Sequence, residues 1–219
     1  MKNYQVNEDG MIVNETGVKT VTLKDHVKFG NKKLPVSTAV FNMGSATRCP
    51  SEQLGLCPIG LKNCYAYKAE VQYNKSCPQY RDRQETIWKD TSASEFVQAI
   101  VDIKKRKRTP FTTLRINESG DFWSQDCVDK THIIAKELAK HDIKVYIYTA
   151  RCDLDFTAIS TKDMGLNSSN QPLQMKDGVS NCFNAVNDFT GENPKCVGDC
   201  KVCSICSLTS QKLIEVLYH

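Results

Sequence analysis

Four cysteines crowd into eleven residues near the end of the chain: Cys196, Cys200, Cys203 and Cys206, in the stretch CVGDCKVCSIC. Thiolates are soft ligands that select iron–sulfur clusters, zinc or Cu(I). Structural zinc is usually gripped by two C-x2-C knuckles held apart by a dozen or more residues, and no such loop separates the pairs here. Successive thiolates of one curling loop can instead take the corners of a cubane, and C-x2-C-x2-C is a spacing used by bacterial [4Fe–4S] loops. The stretch therefore reads as an iron–sulfur ligand loop. A zinc knuckle and a disulfide knot are the alternatives.

A looser group, Cys49, Cys57 and Cys64, lies in CPSEQLGLCPIGLKNC, where Pro50, Gly55, Pro58 and Gly60 make a loop. A cysteine-bearing loop after a strand is a natural metal site, but free cysteines are also often small buried hydrophobes. Two metal arrangements are open. These three thiols could hold a second cluster with one iron left uncoordinated, or one of them could join three C-terminal thiols at a single cluster.

Ionisable groups beside a metal are what an enzyme needs. Glu118, Asp121, Arg151 and Asp153 are the catalytic candidates, in NESGDFW and ARCDLDF, with Asn117 and Ser119 as cofactor contacts. Each has a plainer account as turn or capping chemistry. The five consecutive basic residues Lys104–Arg108 could meet phosphates of a nucleic acid, or a host protein. Equally, they could be a solvated helix end favoured by the helix dipole, and no aromatic residue interleaves with the charges.

The elements that must position these groups follow a rhythm. Residues 1–35 hold alternating pieces, Met11–Val13 and Val18–Leu23, around Asn14-Glu15-Thr16-Gly17, which predicts a β-hairpin or N-terminal cap. The remaining residues, 36–219, read as a single α/β domain. Strands are predicted at Ser37–Met43, Phe111–Asn117 and Ile143–Thr149, with helices between them at Cys64–Tyr73, Gln79–Lys89, from the capping box Ser92–Glu95 to the basic run, and over Gln125–His141. Asn167–Pro172 reads as a loop, Ser180–Val186 and Leu213–Tyr218 as further strands. Alternating strands and helices imply right-handed βαβ units. The fold class is α/β, a partial (βα) barrel or an open parallel sheet with helices, carrying cysteine-rich metal-binding loops. Ligands in such sheets bind beyond the carboxyl ends of the strands, which gathers the Cys49–Cys64 loop, Glu118–Asp121 and Arg151–Asp155 at one edge. A last strand at Leu213–Tyr218 would return the four-cysteine loop to the same neighbourhood.

Composition sets the outer limits. The 219 residues carry a net charge of +4, with 40% hydrophobic and 25% charged residues, enough for a sizeable core and no demand for an acidic partner. The polar start MKNYQVNEDG has no signal-peptide core, and no apolar run reaches membrane-span length. Eleven cysteines without an export signal, an odd number, point to thiols bound to metal in a reducing cytoplasm. Isolated histidines and the absence of a phosphate-binding glycine loop argue against a zinc hydrolase and a P-loop NTPase.

The succession FNMGSATRCPSEQLGLCPIGLKNCYAYKAEVQY, LRINESGDFW, YIYTARCDLDF and CVGDCKVCSIC resembles the phage gene product 88 family. That resemblance implies a phage or prophage origin and a small cysteine-rich protein, without a reaction. More distantly, the chain is similar to radical S-adenosylmethionine proteins, whose signature C-x3-C-x2-C the first three C-terminal cysteines spell. This second resemblance implies a partial barrel, redox or radical chemistry and S-adenosylmethionine as a further cofactor candidate. The pattern here stands near the C-terminus rather than after the first strand, and no GGE segment follows the second strand.

Overall fold

A computed structural model describes residues 4–6, 11–14, 21–108, 110–169, 171–208 and 211–217. In chain order it contains β1 (Tyr4–Val6), β2 (Met11–Asn14), β3 (Val21–Thr22), β4 (Lys28–Phe29) and β5 (Thr38–Phe41), then α1 (Pro50–Gln53), α2 (Gly60–Asn63), α3 (Tyr65–Gln72), α4 (Cys77–Asp90) and α5 (Ala93–Arg106). There follow β6 (Thr113–Ile116), α6 (Gln125–Ala139), β7 (Lys144–Thr149), β8 (Gly165–Ser169), β9 (Gln174–Met175), β10 (Gly178–Val179), β11 (Asn181–Val186) and β12 (Leu213–Leu217).

Seven strands form the main sheet in the order β12-β11-β8-β7-β6-β5-β4, all parallel except the β4–β5 pair. The sheet runs from β12 to β4 without the two pairing, so it is an open sheet and not a closed barrel. The N-terminal strands pair antiparallel as β1-β2-β3, which contains the expected hairpin and adds β1 to it. The predicted turn, Glu15-Thr16-Gly17, lies outside the described residues.

Strand alternation sorts the side chains onto two unlike faces. Ala39, Phe41, Leu114, Ile116, Val145, Ile147 and Leu166 face the helices and join one core with Trp88, Phe96, Ile100, Val128, Ile134 and Leu138. Phe96 stands edge-on to both Phe41 and Trp88, with ring centroids 5.1 and 5.2 Å apart. Each such fully buried side chain contributes about 1.5–3 kcal/mol. Helix α5 is opened by the capping box: Ser92 Oγ accepts from the Glu95 amide, and Glu95 accepts from the Ser92 amide at 2.8 Å.

The opposite face is polar. It presents Thr113, Arg115, Tyr146, Tyr148, Asn167 and Asn181, and this overturns one expectation. Asn167–Ser169, read from sequence as part of a loop, forms the buried strand β8 (Asn170 lies outside the described residues). Its polarity is satisfied inside the protein: Asn167 Nδ2 donates to the carbonyls of Ile147 (3.0 Å) and Cys206 (2.9 Å), and Ser168 Oγ donates to the Asn181 carbonyl at 2.9 Å. A strand whose buried groups are hydrogen-bonded amides and hydroxyls shows no apolar alternation.

Candidate metal centre

The four-cysteine stretch is the connection from β11 to β12, and it lies back across the polar face. Asn167 holds the Cys206 carbonyl, while Asn181 Nδ2 donates to the Leu208 carbonyl at 2.8 Å and to Asn167 Oδ1 at 2.9 Å. The Cys200 amide donates to the Lys33 carbonyl at 3.1 Å, and the Cys196 amide to the Glu215 carbonyl at 2.8 Å. The approach is so close at Gly165 that a Cβ there would sit 2.7 Å from the Cys206 carbonyl oxygen. Only glycine fits.

This packing leaves a cavity of about 130 Å³ lined by Cys196, Cys200, Cys203 and Cys206, with Thr38, Thr113 and Tyr146 beneath. Burial pushes the Cys206 thiol up to about 11, and the three neighbouring cysteines push the same way against a hydrogen bond from Tyr148. The Cys200 thiol is also raised by burial, with Arg115 opposing. Among the described residues no group of three or more His, Cys, Asp or Glu side chains stands arranged to hold a metal ion. The four thiols share a cavity without sharing one point.

The first cysteine stretch leaves the carboxyl end of β5. Two carboxylates fasten it. Glu70 accepts from the Ala46 amide (2.7 Å) and from the buried Arg81 guanidinium (2.6 Å). Asp121, 3% exposed, accepts from the amides of Phe122 and Ala150, each at 2.8 Å, and interacts with the Ser51 hydroxyl. Ser51 Oγ in turn lies 3.2 Å from Cys49 Sγ. Burial, then the nearby Asp121 charge, pushes Cys49 up to about 11, and burial raises Cys57, with Cys64 and Asp121 adding to the effect.

Residues 13–167 match the gene product 88 family, well over half of the chain. The chain belongs to the gene product 88 family, a phage protein family. No curated protein and no solved structure matches it, so the likeness to radical S-adenosylmethionine proteins finds no counterpart there. The part shared with gene product 88 contains Cys49, Cys57, Cys64 and the strand edge of β5–β7. The four-cysteine loop lies beyond it.

Within this member of gene product 88, three of the candidates at the strand edge come together. Asp121 bridges the ends of β6 and β7, and Arg151 forms a two-bonded pair with Asp153 at 2.7 and 2.8 Å while donating to the Phe122 carbonyl. Arg151 holds the Asp153 carboxyl below its ordinary range. Glu118 turns away: it accepts from Asn31 at 3.1 Å and lies 3.8 Å from Arg115. Asn117 and Ser119 are 4% and 3% exposed, and both Asn117 amide atoms and the Ser119 hydroxyl are buried without a hydrogen-bond partner among the described residues. Asn117 also adopts a left-handed φ of 60°, uncommon outside glycine.

The two cysteine stretches, expected in one neighbourhood, lie at different levels of one face of the sheet. They share the polar face, but the four-thiol cavity is lined by Thr38 and Thr113, the first residues of β5 and β6, whereas Cys49 follows their far ends. The reason is that the β11–β12 connection folds back over Gly165 instead of continuing past the strand ends. Between the two stretches runs a line of side chains that sequence reading missed. Tyr65, next to Cys64, accepts from Arg115 at 3.0 Å; the Arg115 guanidinium lies 4.9 Å from the Tyr148 ring centroid; Tyr148 hydrogen-bonds Cys206. An arginine between Leu114 and Ile116 in a strand was the available signal that the second face is polar.

The basic run is partly used inside the fold. Lys104 donates to the carbonyls of His141 and Asp142 at 2.6 and 3.1 Å, and Lys107 lies over the Phe29 ring at 3.3 Å. Among the described residues no helix is long and apolar enough to cross a membrane.

Proposed function

We propose that this chain is an iron–sulfur protein that holds a [4Fe–4S] cluster on Cys196, Cys200, Cys203 and Cys206. The observation that carries the reading is that all four thiols of one loop line a single cavity. Four thiolates are the full donor set of a cubane, and C-x3-C-x2-C-x2-C lets one loop supply them. Burial raises the Cys200 and Cys206 thiols, so an empty loop keeps them protonated, and metal uptake releases those protons.

When bound, such a cluster supplies one-electron chemistry. The chain's own residues do the rest. Asn167 and Asn181 fix the peptide around Cys206, Tyr148 donates a hydrogen bond to its sulfur, and the Arg115 charge faces Cys200. Hydrogen bonds and charge around the sulfurs set the reduction potential. A four-thiolate set leaves no open iron, so this centre serves electron transfer or structure rather than substrate or S-adenosylmethionine.

Anaerobic purification, with iron, acid-labile sulfide and zinc measured per chain and an EPR spectrum after reduction, tests the proposal. Equal iron and sulfide are expected, and Cys200→Ala is expected to lower both. Zinc without sulfide overturns the redox reading and leaves a stapled binding module for a nucleic acid or a host protein; iron content unchanged in Cys200→Ala overturns the ligand assignment.

A further inference from the structure

Two segments line the four-thiol cavity from outside the sheet, residues 34–37 before β5 and residues 196–207 after β11. The Cys200 amide ties them together by donating to the Lys33 carbonyl at 3.1 Å. We propose that the surface these segments present is the docking site of an acidic protein and, resting on the iron–sulfur reading above, that this partner is a one-electron carrier. In that encounter the reduced carrier is oxidised by one electron and the centre is reduced by one; no bond forms or breaks.

The apolar part of the surface is three valines. Val36 is 64% exposed, Val197 69% and Val202 81%. Val197 lines the cavity, and Val36 and Val202 are each chain neighbours of residues that do, so all three belong to its rim. Single exposed apolar side chains are ordinary, but each one left in water forgoes about 1.5–3 kcal/mol of burial, and several together with a polar border mark an interaction surface.

The charge comes from lysine. Lys32, Lys33, Lys195 and Lys201 are all exposed on or beside the two segments, against Asp199 alone. Lys195 Nζ lies over the Phe189 ring at 4.9 Å, and none of the four forms an ion pair among the described residues. Lys104 and Lys107 of the basic run differ, because the fold itself uses them. Apolar groups bordered by uncompensated charge are the anatomy of a protein interface, and the positive sign selects an acidic face and steers its approach. A nucleic acid would be served by arginines or stacking aromatics, and neither segment holds one.

The position suits electron exchange. All four cysteines are half-buried, so the loop that carries them has one side at the surface. A partner on this rim stands one loop away from the thiols, whereas on the helix side the whole sheet intervenes, and electron tunnelling weakens steeply with distance.

The test uses full-length protein purified without oxygen, with a flavodoxin as an acidic, flavin-bearing carrier. Carrier encounters are small and charge-steered, so a carrier of unrelated origin serves as the probe. Binding of oxidised flavodoxin is measured by titration calorimetry at low and at near-physiological salt, with iron and acid-labile sulfide determined on every sample. Lys32→Glu/Lys33→Glu and Lys195→Glu/Lys201→Glu are each expected to weaken binding about tenfold with iron and sulfide at the wild-type level, and the added salt to weaken the wild type by a similar factor. Val202→Ser is expected to weaken it several-fold at both salts. The first lysine pair lies outside the cysteine loop and decides the matter if the second loses iron. Wild-type affinity in the first pair, or binding by the wild type that salt leaves unchanged, overturns the inference. So does a mixed-sequence DNA duplex that binds more tightly than flavodoxin and is lost in the same variants. Zinc without sulfide would sink the iron–sulfur reading and the carrier role with it, while the lysine variants still decide whether the rim binds an acidic protein.

Discussion

The two cysteine stretches are anchored by different chemistry. Around the four-thiol loop the anchors are the carboxamides of Asn167 and Asn181 and the bare backbone at Gly165. Around the first stretch they are the carboxylates of Glu70 and Asp121. Amides do not titrate and carboxylates do. The first loop therefore answers to pH through Asp121, whose carboxyl burial raises, and the four-thiol loop through the thiols of Cys200 and Cys206. Behind the first stretch the Asn117 carboxamide and the Ser119 hydroxyl are buried with no partner among the described residues, whereas the buried amides behind the four-thiol loop are hydrogen-bonded.

The largest expected effect is at Asp121. Asp121→Ala strands the amides of Phe122 and Ala150 together, and at about 1–3 kcal/mol for each unpaired buried donor the loss is about 2–6 kcal/mol in denaturant unfolding. Burial raises this carboxyl above its ordinary range against the hydrogen bonds that favour its charge. The folded state therefore holds the proton to higher pH than the unfolded state does. Its contribution to stability is complete below the unfolded value of about 3.9 and is lost as pH rises through the folded value. Asp121→Asn removes that dependence, so the stability difference between wild type and variant should change across this window and level off above it. Equal pH slopes for the two proteins would show that Asp121 does not carry the pH response of the first loop.

Gly165 gives the matching break in the other loop. Gly165→Val puts a Cβ 2.7 Å from the Cys206 carbonyl and 3.0 Å from the Ser207 carbonyl carbon. Overpacking of this kind costs about 1–3 kcal/mol, and relief comes from lifting the loop off β8. The variant is expected to lose the iron and sulfide of the four-thiol loop while its far-UV circular dichroism stays that of the wild type. Iron and sulfide at the wild-type level would show that the loop's seat on β8 does not matter for the cluster.

What could be read from the sequence follows this division of faces. Strands β5, β6 and β7 were legible because Ala39, Phe41, Leu114, Ile116, Val145 and Ile147 alternate against the helices. The edge rule also brought Asp121, Arg151 and Asp153 together correctly, because the ends of adjacent parallel strands must be neighbours. Strand β8 was hidden: GLNSS buries amides and hydroxyls whose partners, Ile147 and Asn181 among them, are distant in sequence. Arg115 was hidden for the same reason, and with it the link from Tyr65 to Tyr148. The path of the four-cysteine loop depends on Gly165 and Asn167, and local spacing carries no information about such a long-range fit.

The smallest effect runs in the opposite direction and bears on the buried Asn117 behind the first stretch. Asn117 combines a left-handed φ with an amide that has no partner among the described residues, both of which cost stability. Glycine accepts that φ without strain and removes the amide, although it gains entropy in the unfolded chain. Asn117→Gly should therefore stabilise the metal-free protein by about 1 kcal/mol in denaturant unfolding. A residue kept only for the fold would lose stability on this substitution, and that result would assign Asn117 to the scaffold.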